Sequence, residues 1–310
     1  MRLPDRLWVP ALLAGLLALA FVGALLVRAD GDPSLLVHAG PPWTQVDGAR
    51  GSLTVQPADE AFDGQFFYRL GVRPWSTDRT VDGVTFDLPA LRNARWGYGA
   101  LAYVTSAGDP DLVPWALIGL NVAAATAIGL IGGGLARSSG RHAAWGTVLV
   151  LWPGFAYSLS LDTSELVAST FVLGALLALR HRAWVGAGLL FVAAALVRDT
   201  TVVVPFGVAL AGFWLWVRAD PDVDDEHRHD GRRLLAVGAA PLLAFTGWQL
   251  LQRARFGDLP LTSSGDKNLS APLGGLADQL GRIVPPHGGD EAFRLLAVLA
   301  LAALIGAAAW

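Results

Sequence analysis

The chain reads as an all-α membrane protein with about eight transmembrane helices and a long first extracytoplasmic loop that carries amphipathic or interfacial helices. Three observations predict this. Of 310 residues, 53% are hydrophobic and only 16% charged. Several apolar windows reach the roughly 17 to 25 residues that a helix needs to cross a bilayer. Basic residues gather at alternate ends of those windows, as they do in multi-span proteins. The same composition narrows the chemistry. There is no cysteine, so disulfides and thiolate metal ligands are ruled out. A net charge of -3 gives no footprint for nucleic acid.

Residues 1–27 read as a cytoplasmic N-terminus and first span. Arg2 and Arg6 precede the apolar run Leu7 to Val27. A cleavable signal peptide has a shorter core followed by a small-x-small site. Here about 20 apolar residues lead straight into Val27-Arg28-Ala29-Asp30, which favours an uncleaved span. Residues 28–111 form a polar loop domain rich in Gly, Pro, Asp and Trp. Within it, Trp96 to Ala107 is an apolar stretch with Tyr98 and Tyr103, too short to span and suited to an interfacial or re-entrant helix.

Residues 112–252 hold six further apolar runs: Leu112 to Ala136, Ala143 to Ser160, Glu165 to Leu179, Ala183 to Val197, Thr200 to Val217 and Leu234 to Leu251. The third and fourth have only about 15 residues, at the short end for spanning. Residues 253–292 read as a second extracytoplasmic segment and Phe293 to Trp310 as a last span. The sequence stops inside that apolar run, which reads as a truncated or a naturally short chain.

Orientation follows from basic residues in short loops. With the N-terminus inside, the cytoplasmic ends hold Arg2, Arg6, Arg137, Arg141, Arg180, Arg182, Arg218, Arg228, Arg232 and Arg233. On the opposite side the turn at Leu161 to Ser164 has no basic residue and the turn after Val197 has Arg198 alone, although the longer segment from Gln252 to Arg294 carries five. The expected location is therefore the plasma membrane, multi-pass, with an extracytoplasmic working face.

Four segments distant in the chain then place polar residues at that one face. They are Asp63, Gln65, Arg69, Asp87, Arg92 and Arg95; Asp162 and Glu165; Arg198 and Asp199; and Asp258, Lys267 and Asn268. Ionisable groups at helix ends in a bundle are costly unless paired or hydrated, which makes them functional candidates. A plainer reading stands beside this one: Asp162 or Thr163 as N-cap with Glu165 in the first turn, and Asp199 capping the next helix. Arg198 fits capping poorly, because a cation at a helix start opposes the macrodipole, and an anion waiting for it is the better account.

The stretch Ala61-Phe62-Asp63-Gly64-Gln65-Phe66-Phe67-Tyr68-Arg69 stands out in the loop. Asp-Gly alone suits a tight turn, but a turn does not call for Gln and three aromatics after it. By contrast, Asp220 to Asp230, with His227 and His229, reads as solvated linker on the far side. Gly132-Gly133-Gly134 reads as a site of close helix packing, not of phosphate binding.

The order of these features resembles bacterial multi-span proteins of the GT-C glycosyltransferase superfamily, in particular an actinobacterial branch with a Tyr-Asp-Gly-Gln-Phe-Tyr type motif. The likeness rests on Phe62-Asp63-Gly64-Gln65-Phe66-Phe67-Tyr68, Phe86-Asp87-Leu88-Pro89-Ala90-Leu91-Arg92-Asn93-Ala94-Arg95, Leu161-Asp162-Thr163-Ser164-Glu165 and Val197-Arg198-Asp199-Thr200. The segments Arg255 to Pro260 and Asn268 to Gly275 add to it. The resemblance implies a cell-envelope enzyme that transfers a sugar from a polyprenyl-phosphate carrier in the membrane lipid to a glycan, lipid or protein acceptor. It implies Asp63 as base and Arg198 as partner of the donor phosphate, with Arg92 and Arg95 as alternatives. Gln65, Tyr68, Asp162, Glu165 and Asp199 would bind substrate. No cofactor is required by the sequence. A divalent metal, Mg or Mn, stays open, with Asp30, Asp32, Asp59 and Glu60 as candidate ligands because many relatives in that superfamily carry paired acids in the first loop.

Two readings of other classes remain. A transporter or flippase of lipid-linked sugars would place charges near the bilayer midplane and show repeat symmetry; here the charges lie at one face and no repeat is visible. A non-catalytic membrane scaffold would use the Asp63 loop as a binding surface.

Overall fold

The computed structural model describes residues 5–219, 225–263 and position 281. The chain divides into compact units at Ser264, so the described fold is essentially that of the first unit. The expected last span Phe293 to Trp310, the candidates Lys267 and Asn268, and most of the segment 253–292 lie outside the described residues.

The chain is mostly helical. The helices are α1 (Trp8–Arg28), α2 (Gly64–Val72), α3 (Pro89–Ala94), α4 (Trp96–Ser106), α5 (Val113–Ser138), α6 (Gly146–Val150), α7 (Pro153–Ser160), α8 (Glu165–Arg180), α9 (Trp184–Val197), α10 (Val203–Arg218), α11 (Asp225–Phe256) and α12 (Pro260–Ser263). Among the described residues, four segments are long and apolar enough to cross a membrane: Trp8–Arg28, Val113–Ser138, Asp199–Arg218 and Asp225–Phe256. The protein is thus an all-α membrane protein by length and composition of its helices.

Two expected runs take a different form. Ala143 to Ser160 is not one helix but a short 3-10 turn, α6 and α7, broken at Leu151 and Trp152. Pro153 explains the break: it lacks an N–H and pushes Trp152 out of the helical region, to ψ 123. Leu234 to Leu251 is the inner part of the 32-residue α11, which takes in Asp225 to Asp230 as helix, where a linker was expected.

Small residues bring the helices together. A side chain on Gly129 would run into the Pro10 carbonyl of α1. One on Gly132 would sit 3.0 Å from Gly146 Cα of α6. Gly132 and Gly133 therefore serve close packing, as their pattern predicts. Gly212, Gly231 and Gly238 do the same for α10 against α11.

The loop between α1 and α5 folds on one end of this bundle. Its core is formed by Leu36, Val37, Leu53, Phe66, Tyr68, Val84 and Phe86, all buried. A two-residue hairpin, β1 (Thr80–Val81) with β2 (Val84–Thr85), turns at Asp82-Gly83, both at positive φ as such a tight turn requires. The stretch Trp96 to Ala107 is helical, as α4. It ends where Ala107 turns left-handed and the Gly108 N–H bonds back to the Tyr103 carbonyl. At the other end of the bundle, Arg182 pairs with Glu226 and Asp230, and Asp5 accepts from the Ala143 N–H.

Candidate functional site

The site begins with the placement of Asp63. Residues Gly64 through Val72 of α2 are all buried, so the helix is enclosed by the loop domain and the bundle. Gly64 has no room for a side chain: a Cβ there would collide with the Val37 carbonyl and lie 2.6 Å from the Leu161 carbonyl. The start of α2 is thereby wedged against the α7–α8 turn. Asp63, immediately before it, sits at the seam between loop and bundle with 36% of its side chain exposed.

Two arginines meet it there. Arg92 Nη1 donates to Asp63 Oδ1 at 2.9 Å, and Arg95 Nη1 lies 3.6 Å from Oδ2. Arg92 also grips Asp87 with two bonds, Nε to Oδ1 at 2.8 Å and Nη2 to Oδ2 at 2.9 Å. Burial alone would raise the Asp87 carboxyl, but the Arg92 bonds and charge outweigh it and hold the group below its ordinary value. The Arg92 guanidinium lies 3.9 Å over the Phe66 ring. Phe66 in turn meets Phe86 edge-on at 5.8 Å, and Arg69 covers the other ring at 3.5 Å. These four side chains form a cation–aromatic stack through the loop domain.

Across the seam, Arg95 Nε donates to Asp199 Oδ1 at 3.2 Å. Its sequence neighbour Arg198 pairs with Glu165 at 2.5 Å, and Glu165 Oε2 accepts from Ser158 Oγ at 3.0 Å. The structure thus brings together Asp63, Arg92, Arg95, Glu165, Arg198 and Asp199 from four separate segments. The anion beside Arg198 is Glu165.

Other expected site residues lie elsewhere. Gln65 is buried, accepts from Thr44 Oγ1 at 2.7 Å and donates to the Phe62 carbonyl at 2.9 Å, so its amide ties the loop together and does not face the cluster. Tyr68 is also fully buried, and burial pushes its hydroxyl up to about 12. Arg69, expected at the common face, is buried over Phe86 and donates to the Asp78 carbonyl; burial pulls it down to about 10. The physical reason is common to all three: α2 is enclosed on every side, so its aromatic motif forms core.

Asp162 corrects the capping reading. Ser164 takes the N-cap place of α8 and makes no side-chain cap bond. Asp162 is left-handed, at φ 45, and fully buried, and neither carboxyl oxygen has a hydrogen-bond partner among the described residues. Burial pushes this carboxyl well above the ordinary range. Beside it, Asn121 Nδ2 of α5 donates to Tyr98 Oη, the Ser158 carbonyl and the Thr163 carbonyl, which anchors the turn on the bundle.

The acids proposed for metal are spread out. Asp32 accepts from the Ser34 N–H and Thr54 Oγ1 in a local cap, while Asp30, Asp59 and Glu60 are exposed. Among the described residues no group of three or more His, Asp or Glu side chains is placed to hold a metal ion. Asp30, Asp32, Asp59 and Glu60 are thus not assembled as one ligand set.

Sequence reasoning missed two supports of the site. The Trp248 ring of α11 lies 5.7 Å from Trp96, tilted by 52°, Trp96 meets Trp75 at 4.6 Å, and Trp248 Nε1 donates to the Ala94 carbonyl between Arg92 and Arg95. Nothing in the α11 sequence distinguishes this tryptophan. Asn121, an amide in the middle of an apolar run, did carry a signal.

Fold and site together define a helical membrane protein with a chain of ion pairs where its loop domain meets one end of the bundle. The chain matches no protein-family model, no curated protein and no solved structure.

Proposed function

We propose that the protein is a membrane glycosyltransferase that passes a sugar from a polyprenyl-phosphate donor to an acceptor hydroxyl of a cell-envelope glycan, lipid or protein. In this reading it is a multi-pass plasma-membrane protein of about eight spans, with a cytoplasmic N-terminus and the charged cluster outside. The observation that carries the proposal is the half-exposed Asp63 carboxylate held at the bundle end between Arg92 and Arg95.

The chemistry needs an acceptor for a proton next to cations for a phosphate. As the acceptor oxygen bonds to the anomeric carbon, its proton passes to Asp63. The bond from the anomeric carbon to the carrier phosphate breaks, and its electron pair leaves with the polyprenyl phosphate. Guanidinium groups of Arg198, Arg92 or Arg95 stabilise that charge through paired hydrogen bonds. All three arginines are already paired with Asp63, Asp87, Glu165 or Asp199. A phosphate therefore enters by exchanging with one of these carboxylates. Trp75, Trp96 and Trp248 form an aromatic cluster beside the seam, suited to the headgroup level of a membrane.

That complete internal pairing favours a second reading, a non-catalytic scaffold in which the ion pairs only dock the loop on the bundle. The two are separated by sugar transfer in membranes holding the full-length protein, supplied with radiolabelled polyprenyl-phosphate mannose, glucose or arabinose. Loss of transfer in Asp63→Asn and in Arg198→Ala, at unchanged protein level, supports the enzyme. No transfer from any donor by the wild type supports the scaffold.

A further inference from the structure

We infer that the pocket formed by the end of α4 and the segment after α2 binds a neutral glycan, a short run of sugar units without carboxylate or phosphate groups. The pocket encloses about 860 Å3, toward the large end of ligand pockets, so it has room for more than one sugar. Among the described residues it is lined by none of Asp63, Arg92, Arg95, Glu165, Arg198 and Asp199, and is a site separate from the ion-pair cluster. The inference does not need the transferase reading, since a scaffold would hold a glycan there equally.

The sequence builds the pocket from the loop domain alone. Val72 and Pro74 are buried and anchor one wall, and Trp75 follows them with 58% of its surface exposed. Trp75 is backed by Trp96 at 4.6 Å. Tyr103 of α4, 41% exposed, lines the pocket beside Gly108. A Cβ on Gly108 would lie 2.4 Å from Tyr103 Cε2, and its φ of 72 is one that glycine adopts freely. The absent side chain makes the space in which the Tyr103 ring sits.

Chemistry decides the occupant. The charged lining excludes an acyl chain. Its charges balance, Arg50 and Arg73 against Asp78 and Asp82, which leaves no surplus for an ionic ligand. Arg50 Nε donates to Asp82 Oδ1 at 2.9 Å, and Ser76 Oγ donates to Asp78 Oδ2 at 2.9 Å. These bonds orient the groups and use only part of their capacity. Arg50 keeps both Nη groups, Asp78 keeps Oδ1, and Arg73 has no ion pair among the described residues. A sugar unit presents an apolar C–H face and a rim of hydroxyls that donate and accept. The two exposed aromatic side chains suit the face, and the planar guanidinium and carboxylate groups suit the rim. An extended peptide adds to a strand edge, and the strand in this lining, β1, has two residues.

The test is calorimetric titration of the full-length protein in lipid nanodiscs, because detergents with sugar headgroups would compete. The probes are neutral tetrasaccharides of mannose, glucose and arabinose, with tetragalacturonate and tetraalanine as charged and peptide controls. At least one neutral tetrasaccharide is expected to bind more tightly than both controls. Arg73→Ala, at an exposed side chain with no ion partner, should keep the melting temperature and weaken that binding about tenfold. Tyr103→Leu should weaken it by a similar factor through loss of one aromatic face. No binding of any neutral probe up to about 10 mM overturns the inference. So does tighter binding of either control, and so does unchanged affinity in both variants. No donor is present, so the outcome is independent of whether the protein transfers sugar.

Discussion

Arg92 and Asp63, 29 residues apart, meet at 2.9 Å, and the same guanidinium holds both oxygens of Asp87 and stacks on Phe66. One side chain thus sets the orientation of the exposed carboxylate, the start of α3 and the first turn of α2. Arg92→Ala would leave Asp87 without its cation and Asp63 with only the longer contact to Arg95. It should lower stability by about 3 kcal/mol, as loss of one partner from a largely buried pair does. Arg92→Lys should recover part of this, since an ammonium keeps the charge but not the two-pronged grip. Thermal unfolding in detergent distinguishes the two; equal melting temperatures for wild type and Arg92→Ala would remove Arg92 from this role.

Asp87 should make stability depend on acid. Its carboxyl is held below the ordinary value in the folded state, so the stability it contributes is present above that ordinary value, about 4, and is lost as pH falls below it. Between pH 5 and 3 the melting temperature of the wild type should fall more steeply than that of Asp87→Asn. Parallel curves would contradict the assignment.

Asp162 should act with the opposite sign. Its folded carboxyl is raised by burial, so its favourable term is complete below about pH 4 and fades as pH rises toward the raised value. Asp162→Asn, nearly the same shape, should match the wild type at low pH and gain on it with rising pH, by about 1–3 kcal/mol once the buried charge is removed. A constant difference across pH would show that the carboxyl binds its proton equally well folded and unfolded, and would contradict the burial effect.

Gly64→Ala should be damaging out of proportion to one methyl group. Its Cβ meets backbone carbonyls of Val37 and Leu161, which cannot rotate away. A loss of about 1–3 kcal/mol is expected. On the proposed glycosyltransferase reading, transfer should drop as well, because Asp63 moves with the start of α2. Normal melting and normal transfer would show that the wedge is not tight.

Asn121→Ala would strip a shared donor from Tyr98 Oη and two buried carbonyls. The Ser158 carbonyl keeps the Thr163 N–H and Tyr98 Oη keeps the Leu117 carbonyl, so the expected cost is about 1–3 kcal/mol, for the Thr163 carbonyl. Protease nicking at the Ser158 to Glu165 turn should increase while cleavage elsewhere stays constant. An unchanged cleavage pattern would mean that another contact anchors the turn.

Much of the site was legible in the amino-acid order. Apolar runs separate Asp63, Arg92 and Arg95 from Glu165, and Glu165 from Arg198 and Asp199, so alternate traverses return these polar groups to one end. Arg95 and Asp199, 104 residues apart, are in contact. The partners within the cluster were not legible, because register across a seam depends on packing, here on the lack of a side chain at Gly64.

Composition and periodicity alone determined that the chain is a helical membrane protein with its charges at the helix ends, because water and hydrocarbon sort residues over lengths of about 20 residues whatever their neighbours do. Tertiary structure alone decided which polar groups are exposed. Gln65, Tyr68 and Arg69 carry the same polar labels as Asp63, yet α2 is enclosed on all sides and turns them into core. Asp162 has the sequence of a cap but lies buried with no partner among the described residues, and the N-cap place of α8 falls to Ser164.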